Sequence, residues 1–535
     1  MRSQIRLLAL ISLVVMLGSV CYSATVTGTV KGVDGGPFRG AFVQAQNTKT
    51  KITVNVLSDA QGRYRIEQLP AGEYRMTIRA VGFNAEPRPG VNLTADQNTS
   101  FDFALTKGTV RWSDISQVQA KALFPPAKGK DLMVQNCSIC HAFQSRMASV
   151  RRDADGWKDR VEYMRTAMHF SLYRLTDQQA DDIASYLTSL FGPDSVLTKS
   201  PADMPEYKDT VRPFSSDAMN IVYVEYDMPG PSRMPFSAAP DKDGNLWIPN
   251  FGVANKITRL NPKTGEMTDF SVPNIGTAAV HSAVPAADGS VWVAEQASNK
   301  IGRWDPVTQK ITEYQDAYLP GKEGTEGGGS KHTIRLDPSG RVWDSGGPLT
   351  MFDPETEKFT RFDELGYTYD VKTDKNGDVW FTNPGKNRIG KLDGKTMKVT
   401  TWNSPTANSY PRRLEIASDG TIWYGEFNSG KMAHFDPKTE TSKEYTLPGP
   451  DPTPYALGID ADGNVWYDSH RQDTMGRVDA KTGQVTEYPF PHPELSMREF
   501  FRDAQGRMWY GTNPNNKVGY FYLTGKSEGK TSSGR

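Results

Sequence analysis

Residues 288–314 read DGSVWVAEQASNKIGRWDPVTQKITEY. The stretch carries three marks: a glycine three residues ahead of a tryptophan (Gly289, Trp292), the run Asn299-Lys-Ile-Gly-Arg303, and Asp305-Pro-Val-Thr308 before an alternating segment. The first mark recurs at Trp247, Trp343, Trp380, Trp423, Trp466 and Trp509, each preceded in the same way by Gly244, Gly340, Gly377, Gly420, Gly463 and Gly506. Successive tryptophans lie 45, 51, 37, 43, 43 and 43 residues apart. The second mark returns as Asn387-Arg-Ile-Gly-Lys391 and Asn516-Lys-Val-Gly519. Short alternating segments with a period of about 40–45 residues specify a β-propeller. Seven marks predict seven blades over residues 218–525. Ile221–Tyr226 precedes the first unit but resembles a last strand, so it should complete the seventh blade and close the ring. The tryptophans then fill blade cores rather than forming seven binding sites.

The same alignment selects a candidate site. Eleven residues before the tryptophans stand Phe236, His281, His332, Tyr369, Arg412, Tyr455 and Arg498. The innermost strand of a blade lines the channel, so these side chains should converge on one funnel. His, Arg and Tyr are the types that bind anions, metals and protons. Three residues after the tryptophans stand Asn250, Glu295, Gly346, Asn383, Glu426, Ser469 and Thr512, with Glu295 and Glu426 as the two acids. Asp370, Arg413, His470 and Glu499 are neighbours that could also face the funnel. The catalytic candidates are His281, His332, Glu295, Arg412 and Arg498. The plainer alternative is satisfied polar packing at a channel rim.

At about 150 residues per domain, the 535 residues suggest three to four domains in all. Lys+Arg and Asp+Glu are both 62, which argues against nucleic-acid binding through bulk charge. Residues 1–23 carry Arg2 and Arg6 ahead of the apolar run Leu7–Val20, too short for a comfortable membrane span and suited to a cleaved export signal. A periplasmic location follows as an expectation, with lipoprotein processing at Cys21 or a retained anchor as competitors. Residues 24–107 alternate in short segments (Thr25–Val30, Ala41–Gln46, Tyr64–Glu67, Tyr74–Ala80, Thr99–Leu105) between glycine-rich turns, which reads as a small antiparallel sandwich. Residues 108–126 read as a linker ending in Phe124-Pro-Pro126, residues 193–217 as a second linker and residues 526–535 as a polar tail.

Residues 127–192 read as helical. Trp157, Val161, Met164 and Met168 fall on one helical face. Thr176 with Gln179 three residues on is a capping box, and Ile183, Tyr186, Leu187, Leu190 and Phe191 form an apolar stripe ended by Gly192-Pro193. Within this unit Cys137-Ser-Ile-Cys140-His141 places two thiols on one helical turn, with an imidazole next to them. That pattern reads as covalent attachment of one heme c through Cys137 and Cys140, with His141 as the proximal iron ligand. A redox Cys-x-x-Cys would want a βαβ setting, and a zinc site would want further Cys or His nearby, where only His169 is close.

Three resemblances add to this. Gly28-Thr-Val30, Asp59-Ala-Gln-Gly62-Arg-Tyr64, Leu69-Pro-Ala-Gly72-Glu-Tyr74 and Gly82-Phe83 resemble the carboxypeptidase-regulatory-like domain, implying a β-sandwich accessory module; Gly62, Gly72 and Gly82 would mark turns, and Tyr64 and Tyr74 would fill the core. Residues 127–192 resemble a small class I-like cytochrome c domain, which implies a distal Met ligand: Met164, with Met168 as the alternative and Met147 and His169 behind. The Gly-x-x-Trp and Asn-Lys-Ile-Gly-Arg repeats resemble the virginiamycin B lyase (streptogramin lyase) family, a seven-bladed propeller that opens a cyclic depsipeptide by elimination with Mg²⁺. His281 and His332 match its two histidines. Its acids do not match: Ser330 stands where the family has a Glu two residues before the second His, and Asp344-Ser-Gly-Gly follows Trp343.

The expected architecture is multidomain and mainly β: a sandwich, a small all-α cytochrome c domain and a seven-bladed propeller. The expected function is heme electron transfer, with a propeller that binds a small substrate or a redox partner protein. The rivals are a lyase-type enzyme with a tethered heme, using Mg²⁺, and a non-catalytic binding scaffold. Protein matured in a periplasm competent for c-type heme should keep a heme stain on a denaturing gel. Cys137→Ala with Cys140→Ala should abolish that stain.

Overall fold

The computed structural model describes residues 23–137, 143–166, 175–274, 276–316 and 331–525. The first unit contains β1 (Ala24–Lys31), β2 (Phe42–Asn47), β3 (Ile52–Leu57), β4 (Arg63–Leu69), β5 (Gly72–Arg79), β6 (Phe83–Asn84), β7 (Arg88–Leu93), β8 (Asn98–Ser100), β9 (Phe103–Ala104) and β10 (Thr106–Lys107). One sheet has the order β4-β1-β8, with β9 also on β1; the facing strands run β3-β2-β5-β7. Alternate residues of β4 and β5 turn inward, so Tyr64, Ile66, Tyr74 and Met76 meet Val26, Val43 and Ala45 in one core. Gly62 needs its positive φ of 73°, because a Cβ there would come within 2.5 Å of the Val30 carbonyl. The sandwich is not wholly antiparallel: β8 and β9 run parallel to β1, since the chain crosses between the sheets after β7.

β3 lies outside the segments named for this unit, although its Ile52, Val54 and Val56 alternate and pack on the sandwich core. Its opposite face carries the buried polar residues Thr53 and Asn55. The edge of β3 meets β11 (Ile221–Asp227), which pairs antiparallel with β3 from Tyr223↔Asn55 to Tyr226↔Ile52. The other edge of β11 pairs with Lys517–Leu523 along its whole length. The first part of this was expected: the strand before the repeats completes the last propeller sheet. The second part was not, since the same strand joins the sandwich to the propeller in one eight-stranded sheet.

Glu225 of β11 is fully buried at this seam. It accepts from Asn55 Nδ2 (3.1 Å), His492 Nε2 (2.6 Å) and Tyr510 Oη (3.3 Å). Burial pushes its carboxyl up, but His492 and Lys517 outweigh that and hold it below the usual range.

Six further four-stranded sheets, each of four consecutive antiparallel strands, occupy residues 239–271, 280–315, 334–362, 371–403, 411–446 and 454–489. The seventh unit is Phe501–Arg502, Met508–Thr512 and Lys517–Leu523, completed by β11. The glycine before each tryptophan sits in the turn between the first and second strands at φ near +85°; Gly463 (87°) is one example. All seven tryptophans are buried. Four of them donate to the aspartate that opens the turn: Trp247 to Asp241 (3.0 Å), Trp343 to Asp337 (2.9 Å), Trp466 to Asp460 (3.0 Å) and Trp509 to Asp503 (2.7 Å).

Between sandwich and propeller lies a helical unit: α1 (Gln117–Leu123), α2 (Lys130–Cys137), α3 (Ala154–Thr166), α4 (Asp177–Phe191) and the short α5 (Tyr207–Thr210). The Thr176/Gln179 capping box starts α4 as expected, and its apolar stripe is buried. Trp157 and Val161 of α3 pack in the same cluster. Residues 108–126 are not a linker. Ser116 and Gln119 cap α1, and Val110, Trp112, Ile115, Leu123 and Phe124 belong to the helical core, with Trp112 stacked on Phe124 at 5.4 Å. Residues 193–217 are likewise tied down: Leu197, Met204 and Tyr207 pack on that core, and Arg39 of the sandwich donates to the carbonyls of Phe214 (2.6 Å) and Ser215 (2.8 Å). Among the described residues no helix is long and apolar enough to cross a membrane.

Tyr223 of β11 is fully buried, donates to the Pro489 carbonyl (2.8 Å) and contacts Phe490, Tyr510 and Phe521. Tyr223→Ala should destabilise the shared sheet by about 3–5 kcal/mol. Calorimetry should show the sandwich and propeller transitions shifting down together.

Candidate functional site

The segment that opens each repeat, on or just before its first strand, places one residue at the same end of its sheet, and the seven residues meet. Phe236 packs edge-on to His281 (centroids 4.9 Å), His281 lies on His332 (3.8 Å), and His332 lies on Tyr369 (4.5 Å). The Arg412 guanidinium sits over Tyr369 (4.9 Å), Phe427 (4.3 Å) and Tyr455 (4.2 Å). Arg498 sits over Tyr455 (4.6 Å) and Phe236 (5.1 Å), which closes the circle. The Tyr369 and Tyr455 hydroxyls hydrogen-bond across it. All seven side chains are only 3–5% exposed, so the ring is a packed plug of aromatic faces and guanidinium planes.

The residues one step further along the same strands form a charged layer behind the ring. Arg413 Nη1 donates to Asp370 Oδ1 (2.8 Å) and Thr333 Oγ1 (2.5 Å) and lies 3.5 Å from Glu499. Arg335 donates to Glu499, and Asp370 Oδ2 accepts from the Leu414 amide (3.0 Å). Burial alone would raise the Glu499 carboxyl; Arg335 and Arg413 instead pull it down to about 2. Burial and the neighbouring arginines hold both His281 and His332 well below the ordinary imidazole range, so both rings are neutral. His332 Nδ1 lies 3.0 Å from Thr333 Oγ1.

His470, also buried, lies beside Tyr455 (5.9 Å). Asp370, Arg413, His470 and Glu499 therefore all reach the ring's surroundings, as the spacing suggests. Glu295 and Glu426 do not join the ring. Glu295 accepts from Ser298 Oγ (2.8 Å), and its other oxygen lies where a Cβ on Gly302, in the next strand out, would come within 3.0 Å. Burial, helped by Glu313, pushes its carboxyl up to about 7. Glu426 makes the matching contact to Ser429 (2.8 Å).

One group beside the ring goes unselected by the repeat alignment. Lys331, directly before His332, is buried between Asp316 (2.8 Å) and Asp344 (3.1 Å), and Asp344 Oδ1 accepts from the His332 amide (3.2 Å). A lysine touching a candidate histidine, with an aspartate next to the repeat tryptophan, is the signal that could have found it.

The helical unit sits at the ring end of the sheets. Pro454 pairs with Ser469 and Ser469 with Thr474, so the 470–473 turn shares an end with ring residue Tyr455. On that turn and on the approach to Arg498 the helical unit docks. Gln144 Nε2 donates to Asp473 Oδ2 (2.6 Å). Ser145 donates through its amide (2.9 Å) and hydroxyl (2.8 Å) to Glu494. The Val118 amide donates to the Arg471 carbonyl (3.1 Å).

Cys137 ends α2, partly buried against the helical core. Met164 is partly buried on α3, and Met147 is buried in the core. Cys140, His141, Met168, His169 and Ser330 lie outside the described residues. Among the described residues no three His, Cys, Asp or Glu side chains gather as a metal site.

Residues 355–530 match the virginiamycin B lyase family model, and residues 25–106 match that of the carboxypeptidase regulatory-like domain. His281 and His332 precede the first of these stretches. The described fold is similar to a streptogramin B lyase structure (22% identity, TM-score 0.51, 58% of this chain and 100% of that one). It is also similar to selenomethionine-substituted virginiamycin B lyase from Staphylococcus aureus (21%, 0.50, 57% and 99%) and to a catalytically inactive variant of that enzyme with quinupristin (23%, 0.50, 57% and 99%). At these identities the likeness is one of fold. No curated protein matches the chain by sequence.

Asp473 and Glu494 are the acids that receive the helical unit, and burial pushes both up to about 7 against the hydrogen bonds they accept. A carboxyl that binds its proton more tightly when folded stabilises the docked state at low pH. That contribution is lost as pH rises from about 4 to about 7. Hydrogen exchange at residues 143–149 and 494–497, corrected for intrinsic rates, should therefore accelerate across this window. Glu494→Gln should flatten the profile.

Proposed function

We propose that the chain is an exported, periplasmic electron-transfer protein in which one covalent heme c exchanges electrons at the propeller ring. The observation that supports this reading is the docking just described. Gln144 and Ser145 stand three and four residues beyond His141, and both are hydrogen-bonded to the propeller at the ring end. The described residues nearest the Cys-x-x-Cys-His segment on its C-terminal side are therefore fastened at the ring end.

The donor set fits a heme. Cys137 and Cys140 would hold it through thioethers, His141 would be the proximal ligand, and Met164 or Met168 the distal one. Cys137 lies at the edge of an apolar helical core of the kind that shields a macrocycle. When bound, a heme with His and Met ligands supplies a one-electron acceptor of raised potential. The chain's own residues do the rest. A small substrate or a redox partner would meet the ring, whose packed aromatic faces exclude water, and the neutral His281 and His332 would offer it nitrogen atoms. A redox partner protein would take the electron onward from the helical unit.

The lyase reading draws on the fold and the His281/His332 pair. Against it, Asp344 is paired with Lys331 and Glu295 is turned into its own blade, so the acids do not face the histidines. A purely binding scaffold would use the same ring without chemistry.

The test is the visible spectrum of the oxidised holoprotein on adding, without air, a small-molecule filtrate of the native periplasm. The expected result is the sharpened α band of reduced heme, slowed at least about tenfold by His332→Ala. A heme that stays oxidised refutes oxidation of a substrate by this chain. Consumption of a streptogramin-type depsipeptide that needs Mg²⁺ would establish the lyase instead.

A further inference from the structure

We infer that Glu295 and Glu313 hold one proton between them, which makes the blade that carries His281 a pH-sensitive element. The second, third and fourth strands of that blade are Val291–Glu295, Lys300–Trp304 and Ile311–Gln315. Gly302 of the middle strand pairs with Val293 on one side and with Glu313 on the other. A Cβ on Gly302 would stand 3.0 Å from Glu295 Oε1. The Glu295 side chain thus crosses the sheet over the one residue that leaves room for it, toward the acid on the far strand, and the two carboxyls interact.

The donors present reach only two of the four oxygens. Glu295 Oε2 accepts from Ser298 Oγ (2.8 Å), and Glu313 Oε2 accepts from Lys300 Nζ (2.7 Å). Glu295 Oε1 and Glu313 Oε1 are buried and have no hydrogen-bond partner among the described residues. Two such acceptors side by side are costly, and one proton removes both costs, since a protonated carboxyl donates to the other. The same proton balances charge, because Lys300 is one ammonium against two carboxylates. Charged groups on the flanking blades are engaged elsewhere: Arg233 and Lys256 with Asp269, Lys331 with Asp316 and Asp344.

The fifth blade supplies the contrast. Glu426 and Glu444 repeat the spacing of Glu295 and Glu313, yet every oxygen there has a donor: Ser404 and Ser429 on Glu426, Thr406 and Lys431 on Glu444. The orphaned pair is therefore a property of the second blade and not of the repeat. Burial, with the charge of Glu313, sets Glu295 at about 7. A carboxyl raised in the folded state stabilises it at low pH, and that contribution is lost as pH rises from about 4 to about 7. Above this window two bare carboxylates face each other across Gly302, and the outer strand loses its hold on the strand that follows His281.

The experiment is infrared spectroscopy of the full heme-loaded chain, isotope-labelled at its glutamate carboxyls so that aspartic acids do not contribute. At about pH 5 a protonated-carboxyl band should be present that Glu295→Gln and Glu313→Gln each remove, because a shared proton needs both partners. Hydrogen exchange at residues 300–304 and 311–315, corrected for intrinsic rates, should accelerate at least about tenfold between about pH 5 and about pH 8. It should stay flat in Glu295→Gln, whose amide donates to Glu313 at every pH. A band that Glu295→Gln removes but that survives in Glu313→Gln means that burial alone protonates Glu295, and the sharing is overturned. A labelled, unsubstituted protein with no glutamic-acid band at about pH 5 overturns the inference with no variant needed. So does exchange in these two strands that does not change with pH.

Discussion

One strand, β11, is hydrogen-bonded along both edges, and the arrangement of the molecule depends on it. On one side it supplies the fourth strand of the last propeller sheet; on the other it receives β3 of the sandwich. A strand paired on both edges cannot slip without breaking two ladders and turning its side chains to the opposite face. The fully buried Glu225 reinforces the register, because Asn55 reaches it from β3, His492 from the neighbouring loop and Tyr510 from the strand beyond Lys517–Leu523. With propeller and sandwich thus fixed, the chain between them must return to the same neighbourhood, and the helical unit occupies that return.

The ring shows how a repeat can build a site without repeating its chemistry. Backbone geometry places one side chain per blade at a common point, and the tryptophan, its hydrogen-bonded aspartate and the left-handed glycine make that placement reproducible. The side chains delivered there differ: two histidines, two arginines, two tyrosines and a phenylalanine. Their mutual packing depends on cation–π contacts in place of apolar interdigitation. The layer behind absorbs its own charge in the Asp370–Arg413–Glu499–Arg335 network.

The helical unit meets the propeller through polar contacts at the end where the ring lies. Gln144 and Ser145 set their donors against Asp473 and Glu494, two acids that burial makes reluctant to ionise. A joint of this kind is specific in geometry and sensitive to proton concentration. The residues that follow the cysteine motif in sequence are thus among those that fasten the helical unit to the propeller, which is the basis on which the proposal above couples heme and ring.

Much of this was legible in the sequence, and the division has a reason. The propeller units, the closing strand, the capping box of α4 and the seven ring positions all rest on periodicities of two, 3.6 or about 43 residues, which local backbone geometry imposes and which survive in the chain as spacing. Four features had no such signature. The β3–β11 pairing joins edges of strands far apart in the chain, and no spacing records it. The stretch at 108–126 is helical through one short capped helix and a few aromatic anchors, too little for a period to show. Lys331 is buried only because two acids from neighbouring blades, Asp316 and Asp344, meet it. Glu295 shares the register of the ring end, but its rotamer turns it into its own blade. Spacing along the chain determined which residues arrive at the ring; only the folded chain decided which way each side chain turns and what covers it, because direction and burial depend on neighbours that sequence distance does not record.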